Sequence, residues 1–357
     1  MNAPFLLRDE AVVLSPDDPD TALRIEQFVA GHPAATPFHR LAWLNAVARG
    51  TGNRVLVLGL EQGAVLSAIL PLLEVHSALF GRVLVSSGFG VGGGMLVTGH
   101  GQAEALLALA EEQALLLSCP TIELRGGSMP VGRDGWQVRV DSHCGFAADL
   151  LPDDAAQLQA IPRKQRAELR KGLAADLAIS IGSGQADRDA HYAVFAESVR
   201  NLGTPVFPRQ LFAGVLDRFG EDADILTVWH GGQPVASVLS LYHRGVVMPY
   251  WGGGTRSARS LRANDRMYFE LMRHARQRGC TRFDFGRSKV GSGAAAFKQN
   301  WGFVAEPMAY ASWTAPGAPR RDADPTSRRH AARIAVWKKL PLALANRLGP
   351  LIARGLA

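Results

Sequence analysis

Cys119-Pro120-Thr121-Ile122-Glu123-Leu124-Arg125-Gly126 and Cys280-Thr281-Arg282-Phe283-Asp284-Phe285-Gly286-Arg287 are two copies of one pattern. In each, a cysteine stands four residues before a carboxylate, and the residues between them suit a short strand. A helical pattern precedes each copy. Leu106, Ala110, Ala114 and Leu117 recur at helical spacing before Cys119. Met267, Leu271 and Ala275 do so before Cys280, with Asn264 and Asp265 as caps and Gly279 as a stop. Further upstream, Gly92-Gly93-Gly94 is echoed by Gly252-Gly253-Gly254, and Ala64–Leu70 by Pro234–Ser240. The offset is about 160 at the glycines and about 170 before them, which places ten extra residues in the first copy around His76–Arg82. Each half therefore reads strand, strand, glycine turn, helix, strand. This is a duplicated α/β domain with mixed sheets.

The 357-residue chain accommodates two such domains, and 47% hydrophobic residues are ample for two cores. No apolar run is long enough to span a bilayer, and Met1–Glu10 lacks the pattern of a secretory signal, so a cytoplasmic location is expected. Three cysteines without a CxxC spacing argue against a disulfide framework or a zinc site, and no metal is expected. Cys119 and Cys280 hold equivalent repeat positions, which suits core packing; Cys144 has no assigned role. The net charge of +7 is matched by seven basic residues in the last stretch: Arg328, Arg329, Arg333, Lys338, Lys339, Arg347 and Arg354, with no acid from Thr326 to Ala357. The expected boundaries are 1–150 and 151–315 for the two domains and 316–357 for a linker and a basic helical tail.

The densest polar cluster runs from Phe283 to Gly293 and on to Phe303. A strand ends in Asp284 and Arg287, a glycine-rich loop with Lys289 follows, and Lys298 stands among aromatics. Polar groups at the mouth of a strand are where α/β proteins place sites. A structural ion pair accounts equally well for Asp284 and Arg287, and an exposed lysine for Lys298. Met248-Pro249-Tyr250-Trp251 leads a strand into the second glycine run, and Leu202-Gly203-Thr204-Pro205-Val206-Phe207-Pro208 is a stiff loop suited to shaping a pocket. Ile161–Gly172, which contains Arg166, reads as a short basic helix. His39 and His243 sit where they could line a cleft. GxSxG, GxxxxGK[ST] and HExxH are absent.

Leu202–Pro208, Pro249–Gly254, Phe283–Gly293 and Phe297-Lys298-Gln299-Asn300-Trp301-Gly302-Phe303 closely resemble the FemAB-like proteins of bacterial exosortase/PEP-CTERM systems. The basic run 161–172 and the tail's Trp337–Leu342 also fit. The resemblance covers nearly the whole chain. It implies two tandem domains of the GNAT acyltransferase fold, and transfer of an aminoacyl or acyl group to an amine or hydroxyl of a cell-envelope or exopolysaccharide-related acceptor. The donor, aminoacyl-tRNA or acyl-CoA, would be a co-substrate, with no further cofactor. Lys298 matches the lysine of the family's Phe-Lys-x-x-Trp-Gly-like segment. The loop Thr255–Ser260 departs from the pyrophosphate loop of CoA-using relatives.

On this basis Lys298, Asp284 and Arg287 are the expected catalytic residues, a cation for the developing oxyanion with Asp284 orienting it or acting as base. Tyr250, Trp251, Thr204, His39, Lys289 and Arg166 are the expected substrate-binding residues. The alternative is a non-catalytic scaffold that binds a saccharide precursor or a partner in an export or sorting system. Ala331, Ile334, Trp337 and Leu340 form an apolar stripe in the tail, followed after Pro341 by Leu342, Leu344, Leu348, Leu351 and Ile352. With the surrounding cations, residues 326–357 are expected to contact the inner face of the cytoplasmic membrane peripherally, packing back on the core and binding tRNA phosphates being the alternatives.

Overall fold

The computed structural model describes residues 9–319 and 331–356. They form two compact units. The first comprises residues up to 140 together with 309–319 and 354–356, and the second 141–308 together with 331–353.

In unit 1 the elements are β1 (Glu10–Leu14), α1 (Pro19–Gly31), α2 (Leu41–Thr51), β2 (Arg54–Gln62), β3 (Val65–Ser77), β4 (Gly81–Ser86), β5 (Leu96–Val97), α3 (Gln102–Leu116) and β6 (Thr121–Arg125). The chain passes between units along β7 (Trp136–Asp149). Unit 2 adds α4 (Asp154–Ala160), α5 (Arg163–Ala174), β8 (Ala178–Gly182), α6 (Gln185–Leu202), α7 (Arg209–Phe219), β9 (Ala223–His230), β10 (Gln233–His243) and β11 (Val246–Gly254). It continues with α8 (Ala258–Leu261), α9 (Ala263–Gln277), β12 (Arg282–Lys289) and α10 (Gly293–Asn300). After β13 (Glu306–Thr314) come α11 (Ala331–Trp337) and α12 (Leu342–Ala353).

The two units repeat one strand order. In unit 1, β1, β2, β3 and β4 are antiparallel neighbours and β6 joins β4 in parallel after the helix α3. In unit 2, β8, β9, β10 and β11 are antiparallel neighbours and β12 joins β11 in parallel after α9. The last strand is exchanged along the chain: β13, which follows β12 in sequence, pairs with β6, and β7, which follows β6, pairs with β12.

The residues that announce the repeat behave alike. Leu106, Ala110 and Ala114 are buried in unit 1, and Met267, Leu271 and Ala275 in unit 2. Cys119 N donates to Ala114 O and Cys280 N to Ala275 O, so each cysteine closes its helix by the same bond. All three cysteines are buried and free, and burial pushes the Cys119 thiol up to about 11, as expected of packing residues.

Two details differ from the expectation. The glycine runs are not equivalent. Gly252–Gly254 lie within β11, whereas Gly92–Gly94 lie in an excursion, residues 87–95, between β4 and β5. β4 and β5 pair with successive parts of β3 as one interrupted strand, so the extra residues sit there rather than around His76–Arg82. Helix α5 also continues past Gly172, whose missing side chain admits the Arg262 carbonyl; a Cβ would meet it at 2.8 Å.

The tail does not stand apart. Helix α12 packs on α6, burying Ala345, Gly349 and Ala353, and Ile334 of α11 seats against Gly203. Ile334, Trp337 and Leu340 of the expected stripe are half-buried. Arg328 and Arg329 lie outside the described residues.

Candidate functional site

Strands β11 and β12 run parallel but share a ladder only at Val246↔Arg282 and Val247↔Phe283. Beyond these pairs they separate, opening a wedge at their carboxyl ends, where α/β sheets present ligand sites. Both lips are bulged at nearly the same level. On β11 the register steps from Pro249 to Trp251, past Tyr250. On β12 it steps from Asp284 to Gly286, past Phe285. Tyr250 lies four residues beyond the start of the shared ladder and Phe285 three.

Gly286 adopts φ 66°, a conformation open to glycine, and this turns three successive carbonyls toward α10. Lys298 Nζ donates to all three: Phe285 O at 2.7 Å, Gly286 O at 3.1 Å and Arg287 O at 3.1 Å. The ammonium also lies 5.4 Å from the Phe146 ring and 5.8 Å from the Phe285 ring. Lys298 is 9% exposed, so the surface lysine that composition favours is not what the fold builds. Burial lowers its pKa to about 8, and it remains a cation at neutral pH. Its three hydrogens already serve backbone carbonyls, so it shapes the lip and brings charge to it.

Asp284 accepts from Gly286 N at 2.7 Å, and burial raises its carboxyl above the ordinary range. Arg287 is exposed at the end of the same strand, with Nη1 3.5 Å from His143 Nε2; Lys289 is exposed two residues on. Asp284, Arg287 and Lys289 thus lie on the β12 lip with Lys298 of α10 behind it, and Tyr250 lies on the β11 lip.

The other expected binding residues have different duties. Trp251 is buried against Phe212 (4.8 Å between centroids) and Phe207 (6.0 Å), because burial alternates along β11: Val247, Pro249 and Trp251 take the inward side and Tyr250 between them does not. Thr204 closes α6 by donating its N–H to Val199 O. Arg166 donates Nη1 to the carbonyl and side-chain oxygens of Gln159, tying α5 to α4. His39 belongs to unit 1, where it is 1% exposed: Nε2 lies 3.0 Å from Gly94 O, and Nδ1 3.0 Å from both the Thr36 amide and hydroxyl.

A residue the sequence reading passed over forms the floor of the wedge. Tyr268 of α9 stacks edge-on against Phe285 of β12 at 4.8 Å, and a Cβ on Gly252 of β11 would meet its hydroxyl at 3.1 Å. Burial pushes that hydroxyl up to about 12, so it stays protonated. The glycine run has the same origin along its length: Gly253 makes room for Ser198 of α6 and Gly254 for Asn264 of α9.

Unit 1 has the same separation, since β4 and β6 pair only at Leu84↔Ile122 and Val85↔Glu123. Here the excursion 87–95 returns beside the continuation of β6. Met95 bridges Gly127, and Gly94 presses so closely on the Gly126 carbonyl that no side chain fits at Gly94. Thr36, Ser87 and His39 hold the carbonyls of Gly92, Gly93 and Gly94 respectively.

Two concavities lie elsewhere. One of about 370 Å³ in unit 1 is lined by Asn53, Arg54, Glu74, His76 and Arg354, among others. One of about 360 Å³ in unit 2 lies between Tyr192, Arg209, Asn346 and Pro350. Neither is lined by an expected site residue. Glu74, His76 and Cys119 present atoms of metal-ligand type within 4.8 Å of one another. Glu74 already holds Arg54 and His76, and the raised thiol pKa disfavours the thiolate that a metal needs.

Residues 161–299 match the family model of the acetyltransferase (GNAT) domain. No curated protein matches the sequence. Among solved structures, the chain is similar to FemX (TM-score 0.62, 14% identity, 85% of this chain and 96% of that one). It is also similar to a tandem GNAT protein from the clavulanic acid biosynthesis pathway (0.57, 14%, 87% and 100%). A third is a conserved protein of unknown function from Bacteroides thetaiotaomicron (0.53, 11%, 86% and 100%). The fold is a tandem GNAT fold, and the residues matched by the family model include both lips of the unit 2 wedge.

Proposed function

We propose that unit 2 is an acyltransferase that moves an aminoacyl or acyl group onto an amine or hydroxyl of a cell-envelope or exopolysaccharide precursor. The donor is an aminoacyl-tRNA or an acyl-CoA, used as a co-substrate in the cytoplasm with no resident cofactor. The observation that carries this reading is the wedge between β11 and β12, bulged on both lips and backed by the buried Lys298 cation.

The donor carbonyl enters the wedge above Tyr268. The acceptor attacks it directly, so proximity replaces a covalent enzyme intermediate. Negative charge grows on the carbonyl oxygen, and the Lys298 ammonium opposes it with its field while fixing the backbone around Gly286. Asp284, whose raised pKa brings it closer to neutrality, takes the proton from the nucleophile. The carbonyl then re-forms, the bond to the tRNA ester oxygen or CoA sulfur breaks, and the proton passes to that leaving group.

The test is mass spectrometry of extracellular polysaccharide and exported proteins from cells with and without the protein. An acyl or aminoacyl mass present only with the protein, and lost with Lys298→Ala, is expected. Identical material from both cell types would point instead to the scaffold reading.

A further inference from the structure

Helix α12 is amphipathic in the wrong sense for a helix that only packs on its own domain. Its buried positions are Ala345, Gly349 and Ala353, spaced four apart, on a helix that packs on α6 and on the loop that follows it. Gly349 fits so tightly that a Cβ would lie 3.0 Å from the Val206 amide nitrogen. The small residues are inside, and the leucines are outside: Leu344 is 42% exposed, Leu348 38% and Leu351 60%. Their spacing of four and three places them in one row on the outward face. On α11, Val336 is 63% exposed as well. A row of uncovered leucines on a helix seated by small residues is a surface kept for something else.

The charges around the row indicate what covers it. Arg333, Lys338, Lys339 and Arg347 are all exposed, and no carboxylate occurs between Thr326 and Ala357. A second copy docking through the same face would oppose like charges. Nucleic acid would use the cations and leave the leucines in water. A layer with anionic headgroups over hydrocarbon satisfies both sets at once. No helix among the described residues is long and apolar enough to cross a membrane, so contact of this kind is peripheral.

We infer that the outward face of α12, with the cations of the α11–α12 turn, docks on an anionic lipid bilayer. This does not depend on the acyl-transfer reading. It narrows the two apolar sets expected from periodicity to Leu344, Leu348 and Leu351 of the second, Ile334, Trp337 and Leu340 of the first being half-buried.

The experiment is co-sedimentation of the full chain with vesicles of phosphatidylglycerol and phosphatidylcholine in equal parts, and with phosphatidylcholine alone. Binding to the first at low salt and roughly 100-fold or more weaker binding to the second are expected, since the second offers no anionic partner to any of the four cations. Joint replacement of Leu344, Leu348 and Leu351 by Ser, all exposed, should weaken partitioning by about tenfold or more. Lys338→Gln and Lys339→Gln together should lower it about fivefold per residue. As a second readout, Leu351→Cys carrying a nitrobenzoxadiazole label should shift to the blue only with anionic vesicles; the native cysteines are buried. Equal pelleting of the triple-serine variant, or no shift of the label, overturns the proposal. So does a concentration-dependent dimer that the triple variant abolishes, which would assign the row to a second copy.

Discussion

The wedge of unit 1 and the wedge of unit 2 arise from the same strand order, but in unit 1 a stretch of backbone returns into the opening. Where β11 carries a single bulged residue, Tyr250, the corresponding strand of unit 1 is broken between β4 and β5 by the excursion 87–95. That excursion brings Gly94 and Met95 against Gly126 and Gly127 and is pinned by Thr36, Ser87 and His39. Unit 2 has a buried lysine behind its lip; unit 1 has Arg125 N donating to the Ser86 hydroxyl across its own. Duplication supplied two openings. One was filled with backbone, which needs glycines and side-chain hydrogen bonds to satisfy it, and the other kept its polar groups.

The contrast is broken most severely by Lys298→Ala. Removing the cation leaves three carbonyls without their donor and the wedge without its charge, and turnover should fall by roughly 100-fold. Unchanged turnover would place the chemistry elsewhere. Asp284→Asn follows, with an expected loss of roughly 10-fold to 100-fold, the range of a lost general base; wild-type activity would leave the carboxylate only its Gly286 bond. The pH profile sharpens both assignments. Activity should rise as Asp284 deprotonates, above the ordinary carboxylate range, and fall as Lys298 loses its proton near pH 8. The alkaline limb should be absent in Lys298→Met, and its persistence there would assign it to another group.

The smallest effect on turnover is expected in unit 1. His39→Ala should cost about 2 kcal/mol of stability, because Gly94 O loses its donor inside the protein, yet leave turnover per folded molecule within about twofold. Thermal unfolding beside an activity assay checks this. A stable but inactive variant would show that the unit 1 wedge takes part.

These differences were unevenly legible in the sequence. The repeat was visible because helix periodicity and the cysteine-to-carboxylate spacing survive in both copies. The glycine correspondence misled, since glycine answers to several demands: Gly252 makes room for the Tyr268 hydroxyl, while Gly94 presses on backbone. Lys298 stood out by its neighbours, but its partners are carbonyls, which every residue has, so neither its burial nor its bonds could be read. Tyr268 was hidden in a helix whose apolar positions, Met267 and Leu271, claimed attention. Trp251 and His39 were polar-capable residues in suggestive places, and alternation along β11 and the local Thr36–His39 bonds turned them inward. In the tail, the apolar positions were found, but which face the small residues would seat could not be known without Val206 and Gly203 in place.

The most direct test of the central claim is hydrogen exchange of the full chain with and without acetyl-CoA, and with and without a non-hydrolysable aminoacyl-RNA mimic. One of these donors should protect amides in residues 246–254 and 282–293, with residues 87–97 and 121–127 unchanged. Protection confined to residues 87–97 and 121–127 would contradict the account.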